Sequence, residues 1–128
     1  MRVLLDTHVL LWALNGDPRL STGTRDALSD RSNEVWFSPV NVWEAAIKAS
    51  LGRSDFQVDA DALAGLAKRC GFDELVVRSE HAAGTMKLPP LHADPFDRLL
   101  LAQAYAENLT LLTLDAAVLS YGTVARRA

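Results

Sequence analysis

Two short apolar runs, each followed by an aspartate, constrain the fold of this chain most strongly. Val3-Leu4-Leu5 precedes Asp6, and the largely apolar run 109–114 precedes Asp115. Such runs, with no polar residue at every second position, are typical of strands that are buried on both faces of a parallel sheet. Because ligands bind at the carboxyl ends of strands in open α/β sheets, we expect both aspartates to lie at a binding site.

Helical segments between these runs predict an α/β fold. Two helix starts are clear, because Ser38-Pro39 and Asp94-Pro95 each place a capping side chain directly before a proline. Helices are predicted at residues 8–14, 21–32, 38–51, 59–70, 80–86 and 94–108. Strands are predicted at residues 3–5, 34–37, 75–77 and 109–114. Strands that alternate with helices indicate a parallel sheet flanked by helices, and we expect residues 1–128 to form one domain.

Two further acidic residues interrupt apolar faces of the predicted helices. At about 100° per residue, Glu44 falls inside a stripe composed of Val40, Trp43, Ile47 and Leu51. Asp97 shares a helix face with Leu100, Leu101 and Ala104. We therefore expect both carboxylates to face the protein interior.

A cluster of Asp6, Glu44, Asp97 and Asp115 would suit divalent cations. Mg²⁺ prefers oxygen ligands and is commonly held by one or two carboxylates together with substrate phosphate. Hydrolysis of a phosphodiester needs an activated water and stabilisation of the charge that builds on the phosphate, and bound cations provide both. Without a cation, neighbouring carboxylates raise one another's pKa. We therefore expect Mg²⁺ or Mn²⁺ to raise the thermal stability of the protein.

Each acid also has an ordinary structural explanation. Asp6 and Asp115 would cap the helices that follow them, and Glu44 would pair with Lys48 four residues later on an exposed face. Asp97 lies in the first turn of its helix, where an acidic side chain interacts favourably with the helix dipole. The four positions together, two after strands and two on apolar faces, favour a shared site.

Composition excludes some classes of protein. The formal net charge is −3, from 13 basic and 16 acidic residues, so a nucleic acid would have to be bound by a local basic patch or through metal ions. No apolar run approaches the roughly 18 residues that span a membrane. Asp6 and His8 interrupt the apolar start, which we interpret as the first strand of a cytoplasmic protein. Cys70 is the only cysteine, and we expect it and the three tryptophans to lie in the core.

Four segments carry a family resemblance through their order and spacing. They are Leu-Leu-Asp-Thr-His at 4–8, Ser-Pro-Val-Asn-Val-Trp-Glu at 38–44, His-Ala-Asp-Pro-Phe-Asp-Arg-Leu-Leu at 92–100 and Thr-Leu-Asp at 113–115. With these segments the chain resembles the PIN-domain ribonucleases, and among them the VapC-type toxins of bacterial toxin–antitoxin pairs. The resemblance covers nearly the whole chain.

The resemblance implies a Rossmann-like three-layer α/β/α sandwich with a short parallel sheet. It also implies an endoribonuclease toxin that uses Mg²⁺ or Mn²⁺ to cut RNA, leaving 5′-phosphate and 3′-hydroxyl ends. A cognate antitoxin protein that blocks the acidic pocket and a homodimeric state are implied as partners.

The resemblance also distributes roles among the residues of the site. The principal metal ligands are expected to be Asp6, Glu44 and Asp97, with Asp115 as a more variable fourth. Asp94 is expected to cap its helix rather than to bind metal. The hydroxyls of Thr7 and Ser38 lie near the predicted site and would position water or phosphate, although starting the helices that follow also explains both residues. Because Ala93 stands where relatives often carry a basic residue, the candidate phosphate contacts are Arg98, Lys48, Arg53 and Lys87. The ordinary alternative for each of them is a solvated surface charge.

Two alternatives from other functional classes remain open at the level of sequence. One is an aspartate-based phosphatase or receiver domain, which also places an aspartate after its first strand. A second aspartate two residues later would be typical of such phosphatases, but His8 occupies that position, and no glycine-rich phosphate loop is present. The other is a catalytically inactive PIN fold that only binds partners. The presence of all four acids argues against this second alternative.

Overall fold

The computed structural model describes residues 1–128 and has a five-stranded parallel sheet with helices packed on it. The strands are β1 (Arg2–Leu5), β2 (Glu34–Phe37), β3 (Asp73–Glu74), β4 (Thr110–Thr113) and β5 (Ala125–Arg127). The helices are α1 (Thr7–Asn15), α2 (Thr22–Ser29), α3 (Pro39–Ser50), α4 (Ala60–Arg69), α5 (Ser79–Gly84), α6 (Pro95–Glu107) and α7 (Ala116–Leu119). Short 3₁₀ turns at Ser54–Phe56 and Thr85–Lys87 complete the chain. The predicted α/β sandwich with a short parallel sheet is confirmed.

The order of the strands places a topological switch point next to the predicted acids. The sheet runs β3-β2-β1-β4-β5, so the chain builds outward from β1 to β3 and then continues on the other side of β1 with β4. Leu4 of β1 pairs with Trp36 on one side and with Leu111 on the other. The carboxyl ends of β1 and β4 are therefore neighbours, and Asp6 and Asp115 follow these two strands. Ligands of open α/β sheets bind at such points.

The core lies on both faces of the sheet, which explains the unbroken apolar run of β1. Val3 and Leu5 belong to one buried apolar cluster, whereas Leu4 belongs to the other. Successive side chains of a strand point to opposite faces, so a central strand of this kind needs apolar residues at every position. All three side chains are fully buried.

Three aspartates, Asp6, Asp94 and Asp115, cap the helices that begin near the carboxyl ends of the strands. Asp6 caps α1 by accepting from the His8 backbone N–H, and Asp115 caps α7 by accepting from Ala117. Asp94 caps α6 by accepting from the Asp97 backbone N–H at 3.0 Å, as predicted. At the other end of α6, Asn108 adopts the left-handed conformation with φ of 56°, which ends the helix before β4.

The peripheral strands differ from the sequence prediction. The third strand is Asp73–Glu74 rather than 75–77, and Val76 and Val77 are 55% and 39% exposed. Strand β5 was not predicted, because its three residues are mostly polar and it lies at the edge of the sheet. Cys70 is exposed at the end of α4, so its prediction as a core residue was wrong. No helix has both the length and the apolar character that crossing a membrane requires.

Candidate metal centre

The four predicted acids line one cleft at the carboxyl ends of β1 and β4. The cleft has a volume of about 440 Å³, and Asp6, Glu44, Asp97 and Asp115 all contribute to its wall. A larger cavity of about 740 Å³ lies between α5 and α6, but none of the four acids lines it. The chemistry of the side chains therefore points to the smaller cleft.

Asp6 is held in this cleft by groups from strand β4 and from the start of helix α1. It is 8% exposed, and its backbone N–H donates to the Leu112 carbonyl of β4 at 3.0 Å. The Thr113 hydroxyl donates to Asp6 Oδ2 at 2.6 Å, and the His8 backbone N–H donates to Oδ1 at 3.1 Å. Burial raises the pKa of Asp6, and the charge of Glu44 adds to this, although both hydrogen bonds lower it. The carboxyl group is thus fixed in position while its ionised form is disfavoured.

Glu44 faces the interior, but the apolar stripe predicted around it does not exist. Trp43 is 53% exposed and Leu51 is 72% exposed, so the placement of Trp43 in the core was wrong. Helix α3 instead buries the face that carries Val40, Asn41, Glu44 and Ala45. Trp43 points away from this face and contacts the Phe96 ring edge-on, with ring centroids 4.8 Å apart. Glu44 itself is 4% exposed, as the prediction of an interior carboxylate required.

Both oxygens of the Glu44 carboxylate accept short hydrogen bonds. The Thr7 hydroxyl donates to Oε1 at 2.5 Å, and the Lys48 ammonium donates to Oε2 at 2.5 Å. The Glu44–Lys48 pair that sequence spacing suggested is therefore present, but it is largely buried rather than displayed on an exposed face. The Lys48 side chain is 16% exposed and lines the cleft.

Asp97 lies on the first turn of α6, where it meets a histidine from the preceding loop. It is 8% exposed, and His92 Nε2 lies 2.7 Å from its Oδ2. Burial raises the pKa of Asp97 to about 7, and the charges of Asp6, Asp94 and Glu44 act in the same direction. The hydrogen bond to His92 lowers it only in part. The side chain is therefore poised to change its charge near neutral pH.

Asp115 completes the cluster from the exposed side. Potential metal-ligand atoms of His92, Asp97 and Asp115 lie within 4.8 Å of one another. The Asp115 backbone N–H donates to the Thr113 hydroxyl at 3.0 Å, and the same hydroxyl donates to Asp6. Thr113 thus couples the two aspartates that follow the central strands.

The hydroxyl residues named from the sequence have different surroundings. Thr7 is fully buried, accepts from Asn41 Nδ2 at 3.0 Å and donates to Glu44, so it orients a site carboxylate. Ser38 is also fully buried, and its hydroxyl accepts from the Val40 backbone N–H at 3.0 Å. Thr7 therefore belongs to the support of the site, whereas Ser38 caps α3.

Arg98 does not line the cleft. Its guanidinium donates to the Thr85 carbonyl at 2.8 Å, to the His92 carbonyl at 3.2 Å and to the Tyr121 hydroxyl at 3.1 Å, with longer bonds to Pro89 and Leu88. These bonds fasten the loop between α5 and α6, which carries His92. The structure therefore places Arg98 as a loop anchor rather than at a phosphate-binding position.

One wall of the cleft carries basic and aromatic side chains. Arg53 forms a two-pronged pair with Asp55, at 3.1 and 2.9 Å. Arg19 pairs with Asp17 and stacks over the Trp12 ring at 4.7 Å from its centroid. Trp12, Arg19 and Arg53 line the same cleft as the acids, so the cleft carries both negative and positive side chains.

His92 and Thr113 are site residues for which the sequence alone predicts no role in the site. His92 lies five residues before Asp97, outside helical spacing, and a Pro-Pro-containing loop separates it from any predicted element. Only the folded loop brings it to Asp97. Thr113 offered one signal: it is a hydroxyl two residues before Asp115, at the end of a buried strand.

The side chains of this cleft fit a divalent cation such as Mg²⁺ or Mn²⁺. Several carboxylates converge there, and burial together with the charges of Asp6, Asp94 and Glu44 raises the pKa of Asp97, so its ionised form is disfavoured in the protein alone. A bound cation would supply that compensation. The predicted ligands Asp6, Glu44, Asp97 and Asp115 all line the cleft, and the potential ligand atoms of Asp97, Asp115 and His92 lie close enough together to share an ion.

Fold and site together define an α/β protein of the Rossmann-like type with an acidic centre at the switch point of a parallel sheet. The PIN domain family model matches residues 3–122. The chain therefore belongs to the PIN-domain family, which confirms the resemblance at the level of the family.

Solved structures have the same fold across the whole chain. VapBC2 from Rickettsia felis, bound to a DNA fragment from its promoter, is 18% identical with a TM-score of 0.71, covering 99% of this chain and 98% of that one. VapBC-1 from nontypeable Haemophilus influenzae is 16% identical with a TM-score of 0.68, covering 100% and 97%. A domain of a functionally unknown protein from Methanocaldococcus jannaschii is 18% identical with a TM-score of 0.59, covering 99% and 90%. A search of curated proteins found no match.

Proposed function

We propose that the protein is a divalent-metal-dependent endoribonuclease that acts as the toxin of a toxin–antitoxin pair. The observation that carries this proposal is the convergence of Asp6, Glu44, Asp97 and Asp115, from four separate segments, in one cleft at the switch point. Three of them are at least 92% buried, an unfavourable arrangement for carboxylates that is typical of metal and catalytic sites. Membership of the PIN-domain family supports the same conclusion.

In the proposed mechanism the four acids hold Mg²⁺ or Mn²⁺, and other side chains of the protein hold the acids in position. A bound divalent cation supplies an activated water and stabilises the charge that develops on the phosphate. Thr113 and Thr7 hold Asp6 and Glu44 through their hydroxyls, and His92 orients Asp97. Such outer hydrogen bonds keep ligands in position for binding and reaction. The basic side chains that line the cleft bind the RNA backbone.

The proposed partner is an antitoxin protein, with a homodimer of this chain as the toxin unit. Two of the solved structures with this fold are VapBC assemblies. The acidic cleft supports the partner proposal chemically, because a basic side chain from an antitoxin would fill it and exclude both metal and RNA. The cytoplasm, where RNA and ribosomes lie, is the proposed location.

The direct test is cleavage of total RNA by the purified protein with Mg²⁺, with and without chelator. We expect cleavage to require the metal and to be lost in Asp97→Asn, whereas Asp61→Asn should cleave like the wild type because Asp61 is exposed on α4 outside the cleft. Cleavage that persists in chelator or in Asp97→Asn would contradict the mechanism. Metal binding without any cleavage would instead support a PIN fold that only binds partners.

The toxin role has a separate test. Expression of the wild-type chain should arrest bacterial growth, and Asp6→Asn should relieve the arrest at equal protein level. If Asp6→Asn arrested growth as strongly as the wild type, this would contradict the proposal that the nuclease activity causes the toxicity.

A further inference from the structure

The candidate metal centre contains a positively charged side chain. Lys48 Nζ lies 2.5 Å from Glu44 Oε2, and its side chain is 16% exposed. The remaining oxygen of Glu44 accepts from the Thr7 hydroxyl. A divalent cation that uses Glu44 therefore meets a carboxylate whose two oxygens are both engaged, and the ammonium beside it repels the incoming charge.

The two partners of Glu44 differ in their freedom to move. Thr7 is fully buried, starts α1 and also accepts from Asn41 Nδ2, whose other bond goes to the Leu5 carbonyl. Displacing the Thr7 hydroxyl would disturb a buried network that joins β1 to α3. Lys48 lines the cleft, and its ammonium group lies at the end of a flexible four-carbon stem. The ammonium makes no hydrogen bond other than the one to Glu44. Lys48 is therefore the partner that can leave.

The surroundings of Lys48 allow its ammonium to remain in the cleft after it leaves Glu44. Its Nζ lies 5.1 Å from the centroid of the Phe56 ring and 5.8 Å from that of Phe96. Aromatic faces attract cations and would keep the stem packed. Arg53, by contrast, is already bound by Asp55 through two hydrogen bonds. Lys48 is thus the basic residue of the cleft that metal binding itself would set free.

We propose that Lys48 is an exchangeable counter-ion: it neutralises Glu44 in the metal-free protein, gives up Glu44 to the divalent cation, and then binds the RNA phosphate. This inference rests on the proposed function and adds a role for a residue that is not a metal ligand. Binding of the metal would free the Lys48 ammonium, which could then bind a phosphate. RNA would then be held firmly only by the metal-loaded protein.

The test is the affinity for Mn²⁺, measured by isothermal titration calorimetry at pH 8 on chelator-treated protein without RNA. Lys48→Met should bind Mn²⁺ about tenfold more tightly than the wild type, a difference of about 1.4 kcal/mol, because the competing ammonium is gone. Lys48→Gln should do the same, so the comparison does not depend on one variant folding. Lys48→Arg keeps the positive charge and should stay near the wild-type affinity.

Lys68→Met is the matched control. It also removes a lysine paired with a glutamate, Glu74 at 3.1 Å, but on the surface away from the cleft. We expect its affinity for Mn²⁺ to be unchanged. Equal or weaker binding by both Lys48→Met and Lys48→Gln, relative to the wild type, would overturn the exchange.

Cleavage of RNA at saturating Mg²⁺ tests the second half of the proposal. We expect kcat/KM to fall at least about tenfold in Lys48→Met, although its metal site binds more tightly, because a charge-assisted phosphate contact is lost. Wild-type cleavage by Lys48→Met would overturn the role in phosphate binding. If the wild type bound no Mn²⁺ and cut no RNA, the proposed function would fail and the exchange with it, whereas failure of the exchange alone leaves wild-type binding and cleavage intact.

Discussion

The substitution Asp97→Asn should stabilise the metal-free protein at alkaline pH. Burial raises the pKa of Asp97 from 3.8 to about 7, with Asp6, Asp94 and Glu44 contributing through their charges. The ionised carboxylate is therefore unfavourable in the folded state, whereas in the unfolded chain it ionises at its ordinary pKa. Asparagine has a similar shape and carries no charge, so it removes this cost. The same substitution should abolish metal-dependent activity.

The direction and size of the effect follow from proton linkage. Between pH 4 and 7 the folded state binds more protons at Asp97 than the unfolded state, so stability falls as pH rises and levels off above about 7. At about 1.4 kcal/mol per pH unit, the gap from 3.8 to about 7 corresponds to about 4 kcal/mol. Because the cleft is open to water and ions, we expect about 2 kcal/mol to be realised, which is about 6 °C in Tm.

The assay is urea or thermal unfolding, followed by circular dichroism in chelator at pH 5 and pH 8. The Asp97→Asn variant should be about 2 kcal/mol more stable than the wild type at pH 8, and its advantage should be clearly smaller at pH 5, where the folded wild type still keeps the Asp97 proton. Asp61→Asn serves as the control because Asp61 is exposed, and it should track the wild type at both values. An Asp97→Asn protein that is no more stable than the wild type at pH 8 would refute the reasoning.

Three further predictions concern the metal and the supports of the site. Mg²⁺ should raise the wild-type Tm. Calorimetry should show about tenfold tighter binding of Mg²⁺ at pH 8 than at pH 6, because Asp97 must lose its proton to bind the ion. Equal affinity at the two pH values would contradict this. Thr7→Val should cost about 1 to 3 kcal/mol in urea unfolding, since it leaves buried Asn41 and Glu44 groups unpaired, whereas Thr7→Ser should cost less. Arg98→Met should make the loop before α6 more sensitive to limited proteolysis without changing the fold, and unchanged cleavage would argue against its role as loop anchor.

The centre of the fold could be predicted from sequence because its signals are local. Strands β1 and β4 are buried on both faces and therefore apolar at successive positions, and α3 and α6 begin at side-chain caps followed by proline. Strands β3 and β5 have two and three residues and lie at the sheet edges. Such strands are formed by pairing with a neighbour rather than by their own composition, so their sequence gave no adequate signal.

The acids of the site were predictable for the same reason, whereas their partners were not. The ends of β1 and β4 and the first turn of α6 are set by local pattern, and these positions place Asp6, Asp115 and Asp97. His92 reaches Asp97 only because Arg98 fastens its loop through bonds to carbonyls up to 13 residues away. Trp43 was misplaced because helical periodicity gives the spacing of a face but not which face packs on the sheet.

The side chains that contact the acids explain how a destabilising cluster of carboxylates persists in a small domain. Buried carboxylates are costly when ionised, and the raised pKa of Asp6 and Asp97 expresses that cost. Thr113, Thr7 and His92 reduce it through hydrogen bonds without filling the cleft, and Lys48 reduces it with a charge. Of these four supports, Lys48 is the one that acts through the positive charge that a bound cation would replace. The site is therefore tolerable without metal and remains open to it, and Lys48 is the contact through which metal-free stability and metal affinity oppose each other.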